Sequence, residues 1–261
     1  MRVCTLASGS SGNCIYLGTG QTNILIDAGI SCKRINDRLQ EQIGITGQDI
    51  DAIFITHEHT DHIQGLDVFT RKFKTPVYTT QGTWQSIRDK FKNIDSDLYC
   101  NISNNQSLHI DVFSFDIFGT SHDASDSIGL LVSNKEKRLG VATDLGMLTS
   151  DIIETLKNSD ALILEANYDP GMLLRGKYPS FLKRRIAGPK GHLSNEEAAK
   201  GLLELIGERT KTVILAHLSQ ENNLPSLARK TIEQIFKENQ VNHSFNLEIA
   251  PRSQPGACIN I

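Results

Sequence analysis

Apolar and polar positions along the chain fall into short blocks whose period changes every few residues. "RVCTLA" and "CIYLG" are compact apolar runs on either side of "SGSSGN", and "TNILIDAG" follows the Gly-rich "GTGQ". This pattern predicts a β-meander at the start of the chain. "SCKRINDRLQEQ" then predicts a helix with Ser31 as N-cap. "DAIFIT" reads as a buried strand that delivers the chain directly into "HEHTDH". "DHIQGLDVFTRKF" has Ile63, Leu66, Phe69 and Phe73 at helical spacing. "TPVYTT" and "QGTWQSIRDKF" predict a further strand and helix.

The second half repeats this grammar. Strands are predicted near 107–119, 128–133 and 138–143, then a helix over 149–157, a strand over 161–166 and an irregular loop over 167–193. "SNEEAAKGLLELIGE" predicts a helix opened by a capping box of Ser194 and Glu197. Strand "TVILAH", helix "SLARKTIEQIFKEN" and strand "FNLEIA" finish the chain. Two blocks of strands followed by helices predict an α/β (α+β) protein, with two sheets packed together and helices outside. No linker rich in Pro, Ser or charge interrupts 1–261, so a single domain is expected.

Composition narrows the class. With 39% hydrophobic and 22% charged residues the chain is an ordinary globular protein. A net charge of −3 argues against a surface that coats nucleic acid or an anionic membrane everywhere, while leaving room for a local basic patch. No apolar run is long enough to span a membrane. "MRVCTLASGSSGNC" has no long apolar core, so no secretory signal is expected. Cys4, Cys14, Cys32, Cys100 and Cys258 are odd in number, scattered and without a CxxC pair. Reduced thiols in a cytoplasmic protein follow, with small core hydrophobes as their role. Oligomeric state leaves no trace in the sequence.

"FITHEHTDHIQG" crowds His57, Glu58, His59, Asp61 and His62 where an apolar strand ends. Burying such a set is costly unless a cation compensates the carboxylates and holds the imidazoles neutral. Imidazole nitrogen and carboxylate oxygen suit zinc, and also manganese or iron. His57 and His59 alternate, so both rings can face one point, with Asp61 and His62 reaching a second; Glu58 and Thr60 point away. The competing reading is an exposed polar loop rich in histidine. Further ligands should sit just past strand ends, as His57 does, and "FDIFGTSH", "LGVATD" and "TVILAH" end in His122, Asp144 and His217. Singly each is as well explained as a cap or a satisfied polar group. As a set they support two divalent metal ions. His57, His59 and His122 would hold one, Asp61, His62 and His217 the other, with Asp144 bridging. His109 and His243 lack such placement and are expected at the surface.

With THEHTDH followed by His122, Asp144 and His217, the chain resembles the metallo-β-lactamase superfamily along essentially its whole length. The resemblance implies an αββα four-layer sandwich with a dinuclear site at one edge of the two sheets. It also implies that Asp27 in "ILIDAG" braces the histidine loop, the alternative being a turn residue after a strand. "TLASGSSGNCIYL", "THEHTDHIQGL", "ATDLG" and "GPKGHLSNEEAA" are most similar to the YycJ/WalJ (VicX) group of Gram-positive bacteria. That likeness implies a metal-dependent hydrolase with 5′-to-3′ DNA exonuclease activity and a role in mismatch repair. A bridging Asp144 moves the chain toward the phosphodiesterase and glyoxalase-like branches and away from the classical lactamases.

The basic residues favour a nucleic-acid substrate, and the resemblance implies that it is DNA rather than RNA. Between 175 and 190 the chain carries Arg175, Lys177, Lys183, Arg184, Arg185 and Lys190 and no acidic residue, with Tyr178 and Phe181 available to stack on bases. A merely solvated loop is the alternative. His192 precedes the helix capped by Ser194. It resembles the "GH-S" histidine of tRNA 3′-processing nucleases, which implies that it donates a proton to the leaving oxygen or steadies the charged transition state. Glu165 could orient His192, or be a buried strand glutamate with a structural partner. In this reading a hydroxide between the ions attacks phosphorus, with Asp61 helping to orient it. The rivals are a glyoxalase-type thioester or lactone hydrolase, a tRNA 3′-end nuclease (against which stands the lack of an inserted arm), and a non-catalytic metal-binding protein.

Overall fold

The computed structural model describes residues 1–241 and 244–261, so His243 lies outside the described residues. In chain order the elements are β1 (Arg2–Ala7), β2 (Cys14–Gly18), β3 (Asn23–Ile26), α1 (Cys32–Gln42), β4 (Ala52–Phe54), α2 (Thr60–Ile63), α3 (Leu66–Phe73), β5 (Val77–Thr80), α4 (Gln81–Lys90), β6 (Tyr99–Ile102) and β7 (Ser107–Ile110). There follow β8 (Phe113–Gly119), β9 (Ile128–Ser133), β10 (Arg138–Ala142), α5 (Ser150–Leu156), β11 (Ala161–Glu165), α6 (Pro170–Arg175), α7 (Ser180–Ile186), α8 (Asn195–Leu205), β12 (Thr212–Ala216), α9 (Pro225–Glu238), β13 (Asn246–Ile249) and β14 (Ile259–Asn260). They form two compact units, one of 1–112, 124–128 and 250–261, the other of 113–123 and 129–249.

The first unit is a sheet in the order β14-β1-β2-β3-β4-β5-β6. Its β1, β2 and β3 form the expected antiparallel meander, and β3 to β6 run parallel. The helices fold onto it through stripes such as Cys32, Ile35 and Leu39 of α1 and Leu66 and Phe69 of α3, which join Leu25, Ile53 and Val77 of the strands in one core. Ser31 accepts from the Arg34 N–H at 3.4 Å and starts α1. The helix expected after the histidines is broken in two at Gly65. A Cβ there would lie 2.1 Å from the Ile30 carbonyl oxygen, so only glycine permits this approach.

The strands of the second unit run in the order β13-β12-β11-β10-β9-β8. β9 and β10 are antiparallel, and β10 to β13 are parallel. Leu162, Leu164, Val213 and Leu215 pack against Ala198, Leu202 and Leu205 of α8 and Ile232 and Phe236 of α9. The capping box forms as expected: Glu197 N–H donates to Ser194 Oγ at 3.1 Å, and Ser194 N–H to Glu197 Oε2 at 2.8 Å. The stretch 167–193, expected to be irregular, contains α6 and α7. Asp169 caps α6 by accepting from Met172 N–H at 2.7 Å, ahead of Pro170 at the first helical position. The edge strand β6 was also missed, its four residues being too few to register as a period.

Among the described residues no helix is long and apolar enough to cross a membrane. All five cysteines are free thiols.

Candidate metal centre

In both units the chemistry gathers past the carboxyl ends of parallel strands, where backbone groups are released from the ladder. In the first unit Ile26 of β3 is level with Phe54 of β4, which brings Asp27 beside Thr56. Asp27 turns there with φ 64°, a left-handed conformation uncommon for a non-glycine residue. Its Oδ1 accepts the Thr56 N–H at 2.8 Å, its Oδ2 accepts the Thr56 hydroxyl at 2.9 Å, and Oδ2 also takes His62 Nδ1 at 2.7 Å.

This arrangement fixes two tautomers. Asp27 can only accept, so His62 carries its proton on Nδ1 and turns Nε2 the other way. Thr56 gives its hydroxyl proton to Asp27, so its oxygen accepts from His57 Nδ1 at 3.1 Å, and His57 likewise presents Nε2. The His57 ring lies 4.0 Å from that of His62 and meets His59 edge-on at 4.6 Å. Asp61 Oδ2 stands 3.6 Å from His62 Nε2. The loop is strapped down by its own backbone: Asn13 N–H to Asp61 O at 2.7 Å and Ala28 N–H to His62 O at 2.8 Å. A side chain on Gly29 would collide with the Asp61 carbonyl at 1.7 Å. Glu58 faces elsewhere, accepting from Ser125 N–H and Oγ at 2.8 Å each.

In the second unit the register Ala142–Leu164–Leu215 across β10, β11 and β12 brings Asp144, Glu165 and His217 to one level. Asp144 (φ 56°) and His217 (φ 55°) are left-handed, as Asp27 is. Left-handed backbone at three ionisable residues is the kind of strain that collects at functional sites. Glu165 is fully buried and fully used. Oε1 accepts Nδ1 of both His192 and His217 at 2.8 Å, while Oε2 accepts the N–H groups of Leu145 at 3.2 Å and Leu193 at 3.1 Å. With its lone pairs taken, Glu165 orients ligands and is a poor ligand itself. Burial works to raise its pKa, but the charge and hydrogen bond of His192, with the hydrogen bond of His217, hold it below the usual carboxylate value. Burial works to lower the pKa of His192, and the Glu165 carboxylate outweighs it, so the net direction is up.

Asp144 Oδ1 lies 3.4 Å from His217 Nδ1, 3.8 Å from His192 Nδ1 and 3.9 Å from His122 Nε2. Asp144, Glu165, His192 and His217 each bring a potential ligand atom within 4.8 Å of the others. His122 Nδ1 donates to the Gly191 carbonyl at 3.0 Å, which turns its Nε2 inward as well. Of His122, His192 and His217, His192 keeps the most exposure, 20% of its side chain.

The donor set fits a divalent cation. In the first unit His57 and His62, and in the second His122 and His217, have Nδ1 committed to a protein partner, so Nε2 is the nitrogen that would coordinate, and buried carboxylates stand beside them in each unit. Four participants escaped the sequence reading. Asn13 Nδ2 reaches His62 Nε2 at 2.9 Å and Asp61 Oδ2 at 3.3 Å. Thr56 links Asp27 to His57. Asn167 donates to the His217 carbonyl at 2.9 Å. Asp123 stands 3.5 Å from His122 Nε2 and pairs with Arg185. Only Thr56, directly preceding the motif, had a signal in its position. Of the basic residues, Arg175 ends α6, and Lys183, Arg184 and Arg185 lie on α7. Lys177 and Lys190 sit exposed in the flanking turns, and His109 is exposed on β7.

The profile of the Beta-lactamase superfamily domain matches residues 22–218, a span that includes every histidine and carboxylate of both clusters. The chain belongs to this superfamily. Within it, exodeoxyribonuclease YycJ of Bacillus anthracis is 37% identical over 89% of this chain and 88% of its own. Exodeoxyribonuclease WalJ of Streptococcus pneumoniae is 38% identical over 87% and 85%. The chain is therefore a metallo-β-lactamase-fold hydrolase of the YycJ/WalJ family that binds divalent metal. Two solved structures share the fold at 16% identity. Zinc-bound PqqB of Methylobacterium extorquens gives a TM-score of 0.75 with all of both chains covered. YhfI of Bacillus subtilis gives 0.73 with 98% of each covered.

Proposed function

We propose that the chain is a nuclease that cleaves phosphodiester bonds of DNA from an end, using two divalent cations, zinc or manganese. In this reading the two units act together as one catalytic domain. His57, His59 and His122 would hold one ion and Asp61, His62 and His217 the other, with Asp144 available to both. When bound, such a pair acidifies a water molecule and offsets the charge of the phosphate. Asp61 would help to orient the attacking oxygen by accepting a hydrogen bond from it. Asp27 keeps the histidine loop in register through Thr56 and His62.

The observation that carries the reading is the Glu165 carboxylate shared by His217 and His192. One carboxylate turns a ligand and a proton donor toward the same place. With Nδ1–H committed to Glu165, the second proton of His192 rides on Nε2. From there it passes to the leaving oxygen as the P–O bond breaks. The Glu165 carboxylate beside His192 favours the protonated ring. The names of the YycJ and WalJ relatives, both exodeoxyribonucleases, support DNA over a thioester or lactone. Free thiols support a cytoplasmic setting.

End-labelled single- and double-stranded DNA and RNA, incubated with zinc or manganese, test this directly. The wild type should shorten DNA from one terminus. His59→Ala and Asp144→Ala should abolish that and lower the metal content. Full activity in either variant, or turnover confined to a thioester and lactone panel, would overturn the assignment.

A further inference from the structure

The metal chemistry makes no use of the surface formed by α6 and α7. No residue of α7 is buried, and Phe181 and Leu174 expose 67% and 75% of their surface. Phe181, Arg184 and Arg185 are spaced i, i+3, i+4 and so share one face of α7. A helix with no buried side chain is not held by its own packing, yet α7 is stapled in place. Lys183 Nζ donates to the Leu174 carbonyl at 2.7 Å, and His192 N–H to the Ile186 carbonyl at 2.9 Å. Ser121 Oγ donates to the Pro189 carbonyl at 2.6 Å, and Arg185 pairs with Asp123. The Lys183 bond joins α7 to α6, and the other three ties lead to His192 or to the neighbours of His122, so the face is fixed relative to the second unit's cluster.

We infer that this face is a clamp for a single DNA strand entering the site, with Phe181 stacked on a base and Arg184 and Arg185 on neighbouring phosphates. The inference rests on the nuclease reading and names how its substrate is gripped. Charge complementarity selects the occupant: residues 175–190 carry six cationic side chains and no acidic one, in a chain of net charge −3. An exposed aromatic among cations offers stacking that tolerates any base. Phe181 and Arg185 are about 6 Å apart along the helix axis, from a rise of about 1.5 Å per residue. That separation is close to the phosphate spacing of an extended strand. Arg185 connects the clamp to chemistry, because its partner Asp123 follows His122 in sequence and faces its Nε2.

The test is anisotropy of a short fluorescein-labelled, cleavage-resistant phosphorothioate oligonucleotide of mixed sequence, bound to the full-length protein across a salt series. Phe181→Ala should raise Kd about 5- to 100-fold with an unchanged salt slope, and Phe181→Trp should restore wild-type binding. Arg184→Ala should weaken binding and reduce the slope of log affinity against log salt by about 0.7. Val68→Ser, an exposed apolar change on α3, is the control and should bind as the wild type does. Wild-type affinity and slope in Phe181→Ala and Arg184→Ala would overturn the clamp, as would equal weakening by Val68→Ser. Binding is read without turnover. A wild type that binds through Phe181 but never cleaves DNA would sink the nuclease reading alone.

Discussion

The two units solve one problem, holding imidazoles with Nε2 turned inward, by opposite means. The first places four candidate ligands in one short loop, His57 to His62, and braces them with a single carboxylate, Asp27, through Thr56 and His62. The second collects its residues from the ends of three parallel strands and from two connecting segments, and joins His192 and His217 to the backbone of Leu145 and Leu193 through Glu165, while the Gly191 carbonyl holds His122. Asp27 has a threonine between itself and His57, a short relay that local backbone bonds also support. Glu165 has no such help, because both oxygens are saturated by groups far apart in sequence. The lesson concerns robustness: a contiguous half can lose its brace and keep its loop, whereas a dispersed half depends on one buried acceptor.

That contrast sets the largest expected effect. Glu165→Gln keeps the shape but puts an NH2 where only acceptors fit. It must face either the His192 and His217 Nδ1–H groups or the Leu145 and Leu193 N–H groups. Leaving such a buried network partly unsatisfied should cost about 3–5 kcal/mol. Melting temperature and metal per chain should fall together. A Glu165→Gln protein with wild-type stability and metal content would remove the distinction between the halves.

Asp27→Asn is the matching change in the first unit and should be milder. The amide still accepts from Thr56 through its oxygen but turns a donor toward His62 Nδ1. Metal affinity should drop about 10- to 100-fold, as for other partners of ligating histidines. Stability should fall by about 1–3 kcal/mol, since the strap from Asn13 to Asp61 remains. Isothermal titration with zinc and thermal unfolding separate the two quantities. A loss of stability larger than that of Glu165→Gln would reverse the comparison.

The same contrast explains what was legible in the sequence. HxHxDH was readable because loop neighbours in space are neighbours in sequence, and the strand before it was apolar throughout. His122, Asp144 and His217 could be found only as polar residues ending apolar runs, a signal that means ligand only when strand register aligns the ends. Glu165 and His192 were readable as candidates and not as a pair, because a shared carboxylate oxygen is a tertiary fact. Asn13 was hidden in a turn whose composition already accounted for it. Left-handed backbone at Asp27, Asp144 and His217 has no sequence signature when the residue is not glycine. Most strands and capped helices were legible from period and cap chemistry. Helices α6 and α7 were not, because with Leu173 their only buried side chain they lack the apolar stripe by which helices are recognised.

The smallest effect is expected at the other end of the second unit's strands, where Asp160 precedes β11. Its carboxylate takes Arg209 Nη2 at 2.7 Å, the Arg138 N–H at 2.9 Å and Lys137 Nζ at 3.4 Å. Burial works to raise its pKa, but the hydrogen bonds of Arg209 and Arg138 and the charges of Arg209 and Lys137 bring it below the ordinary value. The sign follows from this depression. Asp160 contributes stability that is fully present above its unfolded pKa, near 3.9, and is lost as pH falls through the lower folded value. Asp160→Asn should therefore cost about 1–2 kcal/mol from pH 5 to 8, a gap that closes as the pH drops below about 4. Chemical denaturation across that range measures it. Metal content at neutral pH should stay at the wild-type value, since these bonds lie at the strand ends opposite Glu165. If Asp160→Asn emptied the site as Glu165→Gln does, the second half would owe its ligand geometry to the stability of its sheet as a whole. Glu165 would then be one anchor among several.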